Sequence, residues 1–393
     1  MLSEERKAEV VELCQKLIRA KSYSGEEKEV AQVLEAAMKE KGFDEVTIDK
    51  YGNVIGCLKG NRPGKKILFD GHIDTVPVTD ESIWEYPPFA AEIHDGKIYG
   101  RGTSDMKGSV AAFVCAAKNF AEDTNRDFPG EIYVAGVVHE ECFEGVAARE
   151  ISKFVQPDYV VIGEASQLNL KIGQRGRGEI VVETFGKPAH SANPEKGINA
   201  VYKITGIIDE IRKLVPTHDD TLGDGILELT DIKSAPYPGA SVVPEYCRAT
   251  YDRRLLVGET KESVLAPLEK LINEMMSKDP ELKAKVSYAT GKELCYTGNY
   301  IEGERFFPGW LYKEEAFVTD VYNRLKEMGY SPEITQYNFC TNGSHYAGEA
   351  NIPTFGLGPS LENLAHTVNE HIEIDQLVKV TDCYYGAMGA LLK

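Results

Sequence analysis

Histidine and carboxylate side chains recur along this chain where apolar runs end. Asp70-Gly71-His72-Ile73-Asp74 closes one such run, Val138-His139-Glu140-Glu141 a second, and Gly163-Glu164 a third. Asp105 stands in Gly102-Thr103-Ser104-Asp105-Met106-Lys107-Gly108, just ahead of an alanine-rich helical pattern, and His366 in the late loop Ala365-His366-Thr367-Val368-Asn369-Glu370. Imidazole nitrogens and carboxylate oxygens are good zinc ligands, and a shared carboxylate can hold two metal ions about 3.5–4 Å apart. Such a pair lowers the pKa of a bound water toward ~7, and a free carboxylate beside that water can take its proton as it attacks a carbonyl. Asp105 is placed to bridge, Glu140 suits the base next to a ligand-type Glu141, and His72, Glu164 and His366 can complete the set.

Each residue alone has a plainer reading. A lone histidine is usually an ordinary buried or loop residue, and neighbouring acids are usually surface charge. The combination points the other way, because ligands in open α/β sheets bind beyond the carboxyl ends of the strands, where these three runs would meet. Other chemistries lack their parts. Phe143 stands where a His-Glu-x-x-His zinc helix needs its second histidine. Gly173-Gln174-Arg175-Gly176-Arg177-Gly178 has the wrong glycine spacing for a dinucleotide loop and precedes a strand, so it reads as a domain hinge and an NAD-dependent enzyme is not supported. No Gly-x-Ser-x-Gly marks a serine nucleophile. Cys142 reads as a small apolar neighbour of the metals.

The elements that must position these groups follow from periodicity. Helical patterns cover the amphipathic N-terminus and residues 26–41, ended by Gly42, and strands are expected at 46–49, 54–58 and 66–69. A helix over 106–120 precedes strands at 131–138 and 158–162, with a further helix between them. This alternation predicts an α/β domain with a largely parallel sheet flanked by helices. From residue 176 to 289 the pattern shifts to β segments, such as 179–185 and 246–253, with helices near 197–214 and 260–277. That stretch reads as an α+β domain inserted into the first. Residues 290–393, with a helix at 314–328, a short strand at 354–356 and a final helix at 374–392, are expected to rejoin residues 1–175 in one metal-binding catalytic domain.

Composition narrows the partners. A formal charge of −18 opposes nucleic acid and anionic membrane, since both are bound through clustered Lys and Arg. No apolar run approaches the roughly 20 residues that span a bilayer, and the N-terminus carries Glu and Lys throughout, unlike a signal peptide. Eight scattered cysteines without a Cys-x-x-Cys pair predict a reducing, cytoplasmic setting.

Gly71-His72-Ile73-Asp74-Thr75-Val76-Pro77, Gly100-Arg101-Gly102-Thr103-Ser104-Asp105-Met106-Lys107-Gly108 and Glu140-Glu141 closely resemble the M20 metallopeptidase family, which includes acetylornithine deacetylase and succinyl-diaminopimelate desuccinylase. The resemblance covers essentially the whole chain and runs nearest to the YgeY-type hydrolases linked to selenium or purine catabolism. It implies a zinc-peptidase-type catalytic domain with an inserted lid and dimerisation domain. It also implies two Zn2+ per subunit, with Co2+ or Mn2+ as possible replacements. His72, Asp105 and Glu164 would hold one ion and Asp105, Glu141 and His366 the other, with Glu140 as general base. Asp74 would fix the His72 tautomer, and a cis peptide would follow Asp105. His190, in Gly186-Lys187-Pro188-Ala189-His190-Ser191-Ala192, would polarise the substrate carbonyl, in dimeric relatives across the subunit boundary. Arg254 would pair with a substrate carboxylate, although a salt bridge with Asp252 is an equally natural use of it. Ser241 stands where many relatives carry an asparagine, which puts that contact to the substrate in question. The Gly343 N–H could bind a substrate carboxylate, and His345 would line the pocket. The implied activity is cleavage of an amide bond in a small amino-acid-derived substrate, as an N-acyl-amino-acid deacylase or alternatively a dipeptidase or carboxypeptidase, by a homodimer. A non-catalytic binding protein on the same fold would be expected to have lost a ligand or the base, and none is missing here.

Overall fold

A computed structural model describes residues 2–393, and the chain divides into two compact units. The first comprises Met1–Gln174, Lys292–Glu302 and Leu311–Lys393, the second Arg175–Gly291 and Gly303–Trp310.

The first unit is built on a mixed sheet. Its strands lie in the order Glu45–Ile48, Val54–Lys59, Pro129–Val137, Arg62–His72, Tyr159–Ile162, Thr354–Gly356 and Leu170–Gln174, with Ile334–Tyr337 beside the last. The centre is parallel, from Pro129–Val137 through Arg62–His72 and Tyr159–Ile162 to Thr354–Gly356. The margins are antiparallel where Val54–Lys59 meets Pro129–Val137 and where Leu170–Gln174 meets Thr354–Gly356. Central strands covered on both faces read as unbroken apolar runs, and Ile67, Leu68, Phe69, Val160 and Val161 are fully buried. In register, His72 pairs with Val137 and Asp70 with Ile162. The residues that follow these strands therefore leave the sheet at the same edge.

Helices cover the sheet. Glu4–Arg19 begins at Ser3, whose hydroxyl accepts the Arg6 N–H, and buries Val10, Leu13, Leu17 and Ile18. Gly108–Asp123 is buried along nearly its whole length and packs against the final helix Ile374–Leu391. The helix expected from residue 106 starts only at Gly108, because Asp105 (φ −130°, ψ 86°) and Met106 are not helical, and the Asp105–Met106 peptide bond is cis. The strand expected at 66–69 runs from Arg62 to His72. Periodicity did not reveal Glu92–His94, Lys97–Tyr99 and His371–Glu373, three-residue strands that form a small sheet of their own and are too short to show a period.

The second unit carries an antiparallel sheet in the order Ile226–Ala235, Tyr246–Leu255, Gly176–Phe185 and Lys283–Tyr288. Helices Ala200–Ile211 and Lys261–Lys278 contribute Ile204, Ile207, Leu268 and Ile272 to a core shared with Ile180, Val182, Ala249 and Tyr251 of the strands. Among the described residues, no helix is long and apolar enough to cross a membrane.

Candidate metal centre

Two glycines let the strand ends and the Asp105 loop close on each other. A Cβ on Gly71 would stand 2.8 Å from both Met106 Cε and Val110 Cγ2, and one on Gly163 would stand 2.4 Å from Phe113 Cζ. Glycine at both positions therefore admits Met106 and the helix behind it, beside His72 and Glu164. Gly102, at φ 87°, turns the chain into the loop in a conformation that other residues rarely adopt.

The result is a cluster that is buried or half-buried except at His366. His72 Nε2 lies 2.9 Å from Asp105 Oδ1 and 3.5 Å from Glu164 Oε1, while His366 Nε2 lies 3.1 Å from Asp105 Oδ2 and 2.9 Å from Glu141 Oε2. The two oxygens of Asp105 thus face two different imidazoles, the arrangement of a bridging carboxylate. Ligand-type atoms of His72, Glu140 and Glu164 lie within 4.8 Å of one another, and so do those of His72, Asp105 and Glu141. Distance alone therefore groups Glu140 with its neighbours as closely as it groups the expected ligands.

The tautomer of His72 is set from behind. Its Nδ1–H donates to the Asp74 carbonyl oxygen at 2.9 Å, which leaves a lone pair on Nε2 aimed at two carboxylates. Acceptors facing acceptors at that distance need a cation or a proton between them. The Asp74 carboxylate lies 3.7 Å from Nδ1, within ion-pair range of the ring but beyond a hydrogen bond. It accepts instead the backbone N–H groups of Glu140 (3.1 Å) and Glu141 (3.2 Å) and the Ser24 hydroxyl (2.7 Å). Its role is to hold the loop bearing both glutamates.

Electrostatics make the same demand for positive charge. Burial, reinforced by the acids around them and opposed by His72, holds the carboxyls of Glu140 and Glu164 well above their ordinary range, and burial likewise raises Glu141. Contacts with Asp105 and Glu141 push His366 up to about 10. Despite its burial, Asp105 is held low by hydrogen bonds to His366 and His72. Glu140 Oε1 and Glu141 Oε1 are buried without a hydrogen-bond partner. Divalent cations would satisfy these oxygens and the two imidazoles together, so the residues present fit a metal centre.

Behind the cluster, Asp70 accepts Asn342 Nδ2–H at 2.9 Å and the Tyr346 hydroxyl at 2.7 Å. Asn342 Oδ1 accepts the Gly145 N–H at 2.8 Å, which ties the late loop to the segment following Glu140 and Glu141. The Gly343 N–H is not open to a substrate carboxylate as expected, because it donates to Thr341 Oγ1 at 3.0 Å, and that hydroxyl donates to Gln174 Oε1. His345 is buried and bound to Ser152 at 2.7 Å and Glu349 at 2.9 Å. Sequence reasoning gave no role to Asn342 and Tyr346. It quoted Asp70 and Glu370 within motifs without giving them a role, although an acid inside an apolar strand, as at Asp70, is a signal in itself.

The remaining expected residues lie in the second unit. His190 is exposed, and its Nδ1 accepts the Ala192 N–H at 3.0 Å. Arg254 Nε lies 2.9 Å from Asp252 Oδ1, while Arg177 Nε lies 3.0 Å from Asp252 Oδ2. Ser241 is exposed, at φ 56°, and its carbonyl accepts the Ser191 N–H.

The sequence profile of Peptidase family M20/M25/M40 matches residues 68–390. The YgeY protein of Escherichia coli, described only as uncharacterized, is 32% identical over 383 residues, covering 96% of this chain and 93% of that protein. Succinyl-diaminopimelate desuccinylase 2 of a Ruegeria species is 29% identical over 389 residues, covering 95% and 93%. Among solved structures, aminopeptidase PepT from Bacillus cereus shares the fold with a TM-score of 0.74 at 21% identity, over 98% of this chain and 99% of that one. The Bacillus subtilis YXEP protein, described as a dinuclear metal binding peptidase, does so with a TM-score of 0.73 at 13% identity, over 99% of each.

Proposed function

Given that the chain belongs to peptidase family M20/M25/M40, and is thus an amidohydrolase or peptidase of that type, we propose that it is a two-zinc N-acyl-amino-acid deacylase. The observation that carries the two-metal reading is Asp105, whose carboxylate oxygens face His72 and His366 separately. His72, Asp105 and Glu164 would hold one ion, and Asp105, Glu141 and His366 the other. Zinc, when bound, would supply the charge that acidifies the attacking water and draws electron density from the substrate carbonyl.

The chain's own groups do the rest. Glu140 is the general base: Asp74 holds its backbone N–H, and its Oε1 is buried without a partner and free to take a proton. The same carboxyl can then return that proton to the leaving amine. His190 is the second polar contact to substrate. Because Nδ1 accepts a backbone N–H, the neutral ring carries its proton on Nε2, the orientation a donor to a carbonyl oxygen requires. Arg254 is the candidate for the substrate carboxylate. Its Nε is engaged with Asp252, which sets the plane of the guanidinium.

The absence of a disulfide among the described residues supports a cytoplasmic setting. The edge strand Ile226–Ala235, with Ile226 and Ile232 exposed, supports a homodimer through the second unit. Among the relatives, the desuccinylases favour acyl transfer to water over cleavage between two amino acids.

The test is hydrolysis of a panel of N-acetyl, N-succinyl and N-carbamoyl amino acids and dipeptides, before and after chelation and zinc restoration. Zinc-restored cleavage of an N-acyl substrate is the expected result. Zinc-restored cleavage confined to dipeptides replaces deacylation with dipeptidase activity, and turnover that chelation leaves untouched refutes the metal mechanism.

A further inference from the structure

Glu370 follows His366 by four residues and is none of the ligands assigned above, yet its carboxylate is wholly buried. Oε1 accepts three backbone N–H groups of the bridging loop, from Gly102 at 3.0 Å, Ser104 at 2.9 Å and Asp105 itself at 3.1 Å. Oε2 accepts from Arg101 Nη1 at 2.6 Å. Arg101 is 5% exposed, and its guanidinium lies over the Trp84 ring at 5.3 Å. The main chain adds a fifth tie, with the Gly100 N–H donating to the Glu370 carbonyl oxygen at 2.9 Å.

These contacts do more than satisfy a buried acid. The direction in which Asp105 presents its carboxylate depends on the backbone at residues 102–105, and one oxygen of Glu370 gathers three of the N–H groups of that stretch. The same carboxylate rides on the segment that carries His366, so it fixes the early part of the chain against the late part where both reach the metals. His366 adopts φ 61° and its side chain is about half exposed, at 54%, so little packing around the ring holds it in place. We infer that Glu370 is a positioning residue that locks Asp105 and His366 into one metal-binding geometry, with Arg101 holding the carboxylate in place. The inference rests on the reading of the site as a metal centre.

Removing a partner behind a metal ligand typically lowers metal affinity by about 10–100-fold. The experiment is chelator competition for zinc, combined with thermal unfolding of the full chain with and without zinc, for wild type and Glu370→Gln. The variant keeps the side chain's size but replaces one acceptor oxygen with an amide nitrogen that cannot accept. It is expected to bind zinc about 10–100-fold more weakly and to lose most of the rise in Tm that zinc gives the wild type. Zinc affinity within about twofold of wild type, or a fall in Tm that is equal with and without zinc, overturns the inference and leaves Glu370 a structural acid. Should Glu370→Gln fail to fold, Arg101→Gln replaces it with the same expected direction, and unchanged zinc affinity in that variant overturns the inference equally. A wild-type chain that holds no zinc overturns the reading of the site and this inference with it. A zinc-binding wild type beside an equally zinc-tight variant overturns the inference alone.

Discussion

At the scale of single residues, the site divides groups of one chemical type into different tasks by what each is bonded to. Glu140 and Glu141 are adjacent, and both have their N–H groups held by Asp74, but only Glu141 reaches His366. Glu140→Gln should therefore keep its zinc content while kcat falls by about 10²–10⁴-fold, the usual contribution of a general base. Asp105→Asn should lose both zinc and turnover, because one of its two oxygens is replaced by an amide nitrogen that cannot accept. Metal analysis beside steady-state kinetics checks the pair. Equal zinc loss in the two variants, or an active Glu140→Gln enzyme, overturns the division of roles. Which residues could do this chemistry was legible in the sequence, because His, Asp and Glu at strand ends are visible as types and positions. What Asp74 does was not. A carboxylate two residues past a histidine can reach either the ring or the next loop, and only the backbone path sends it to the N–H groups of Glu140 and Glu141.

At the scale of elements, close approach of the Gly108–Asp123 helix to the strand ends places the bridging loop. Gly163→Ala would drive a methyl against the Phe113 ring, which is itself fully buried, so the ring cannot simply swing away. Overpacking of this kind costs about 1–3 kcal/mol, and the variant should show a lower Tm together with weaker zinc binding, since the loop with Asp105 and Met106 runs directly into the displaced helix. Gly206→Ala is the contrast. Inside the helix Ala200–Ile211 the nearest atom to a new Cβ is 3.9 Å away, so that substitution should stabilise by about 0.5–1 kcal/mol. A Gly163→Ala protein as stable as wild type refutes the packing argument.

A second device acts at this scale. Glu349, in the turn Ser344–Glu349, accepts from Arg149 through Nε (2.9 Å) and Nη2 (2.6 Å) and from His345, and so pins the helix Ala148–Val155. Although burial opposes it, hydrogen bonds from His345 and Arg149 lower its carboxyl from 4.5 to about 2. A depressed folded-state pKa contributes stability that is present above 4.5 and lost as pH falls toward 2. Thermal unfolding of Glu349→Gln should accordingly show a shallower loss of Tm over that acid range than wild type, and parallel curves would refute the contribution. The sequence showed helices and strands here but not this clamp, because residues 149 and 349 are brought together only by the fold.

For the whole molecule, the first unit assembles its site from residues 72 to 366, and the second presents an edge strand with exposed Ile226 and Ile232. The outer edge of that strand has no neighbour within the sheet and so offers a pairing surface, with its register shift between Leu229 and Asp231 separating the two exposed isoleucines. Sedimentation of the wild type should give a dimer, and Ile232→Glu should shift it toward monomer. A monomeric wild type refutes the proposed assembly.

By itself the sequence determined the class of chemistry, the parallel strands that end at the clustered histidine and carboxylate residues and the presence of a second block of β segments and helices. These follow from local rules: residue type decides what an atom can bind, and periodicity decides which face of an element is buried. The tertiary structure decided what local rules cannot reach. It gave the Asp74 carboxylate the Glu140 and Glu141 amides as hydrogen-bond partners and closed the Gly343 N–H against Thr341. It also buried Glu370 under the Asp105 loop, 265 residues away in sequence. Hydrogen-bond partners of a buried polar group are set by whichever complementary group the packing brings within about 3 Å, and that distance is a property of the folded chain.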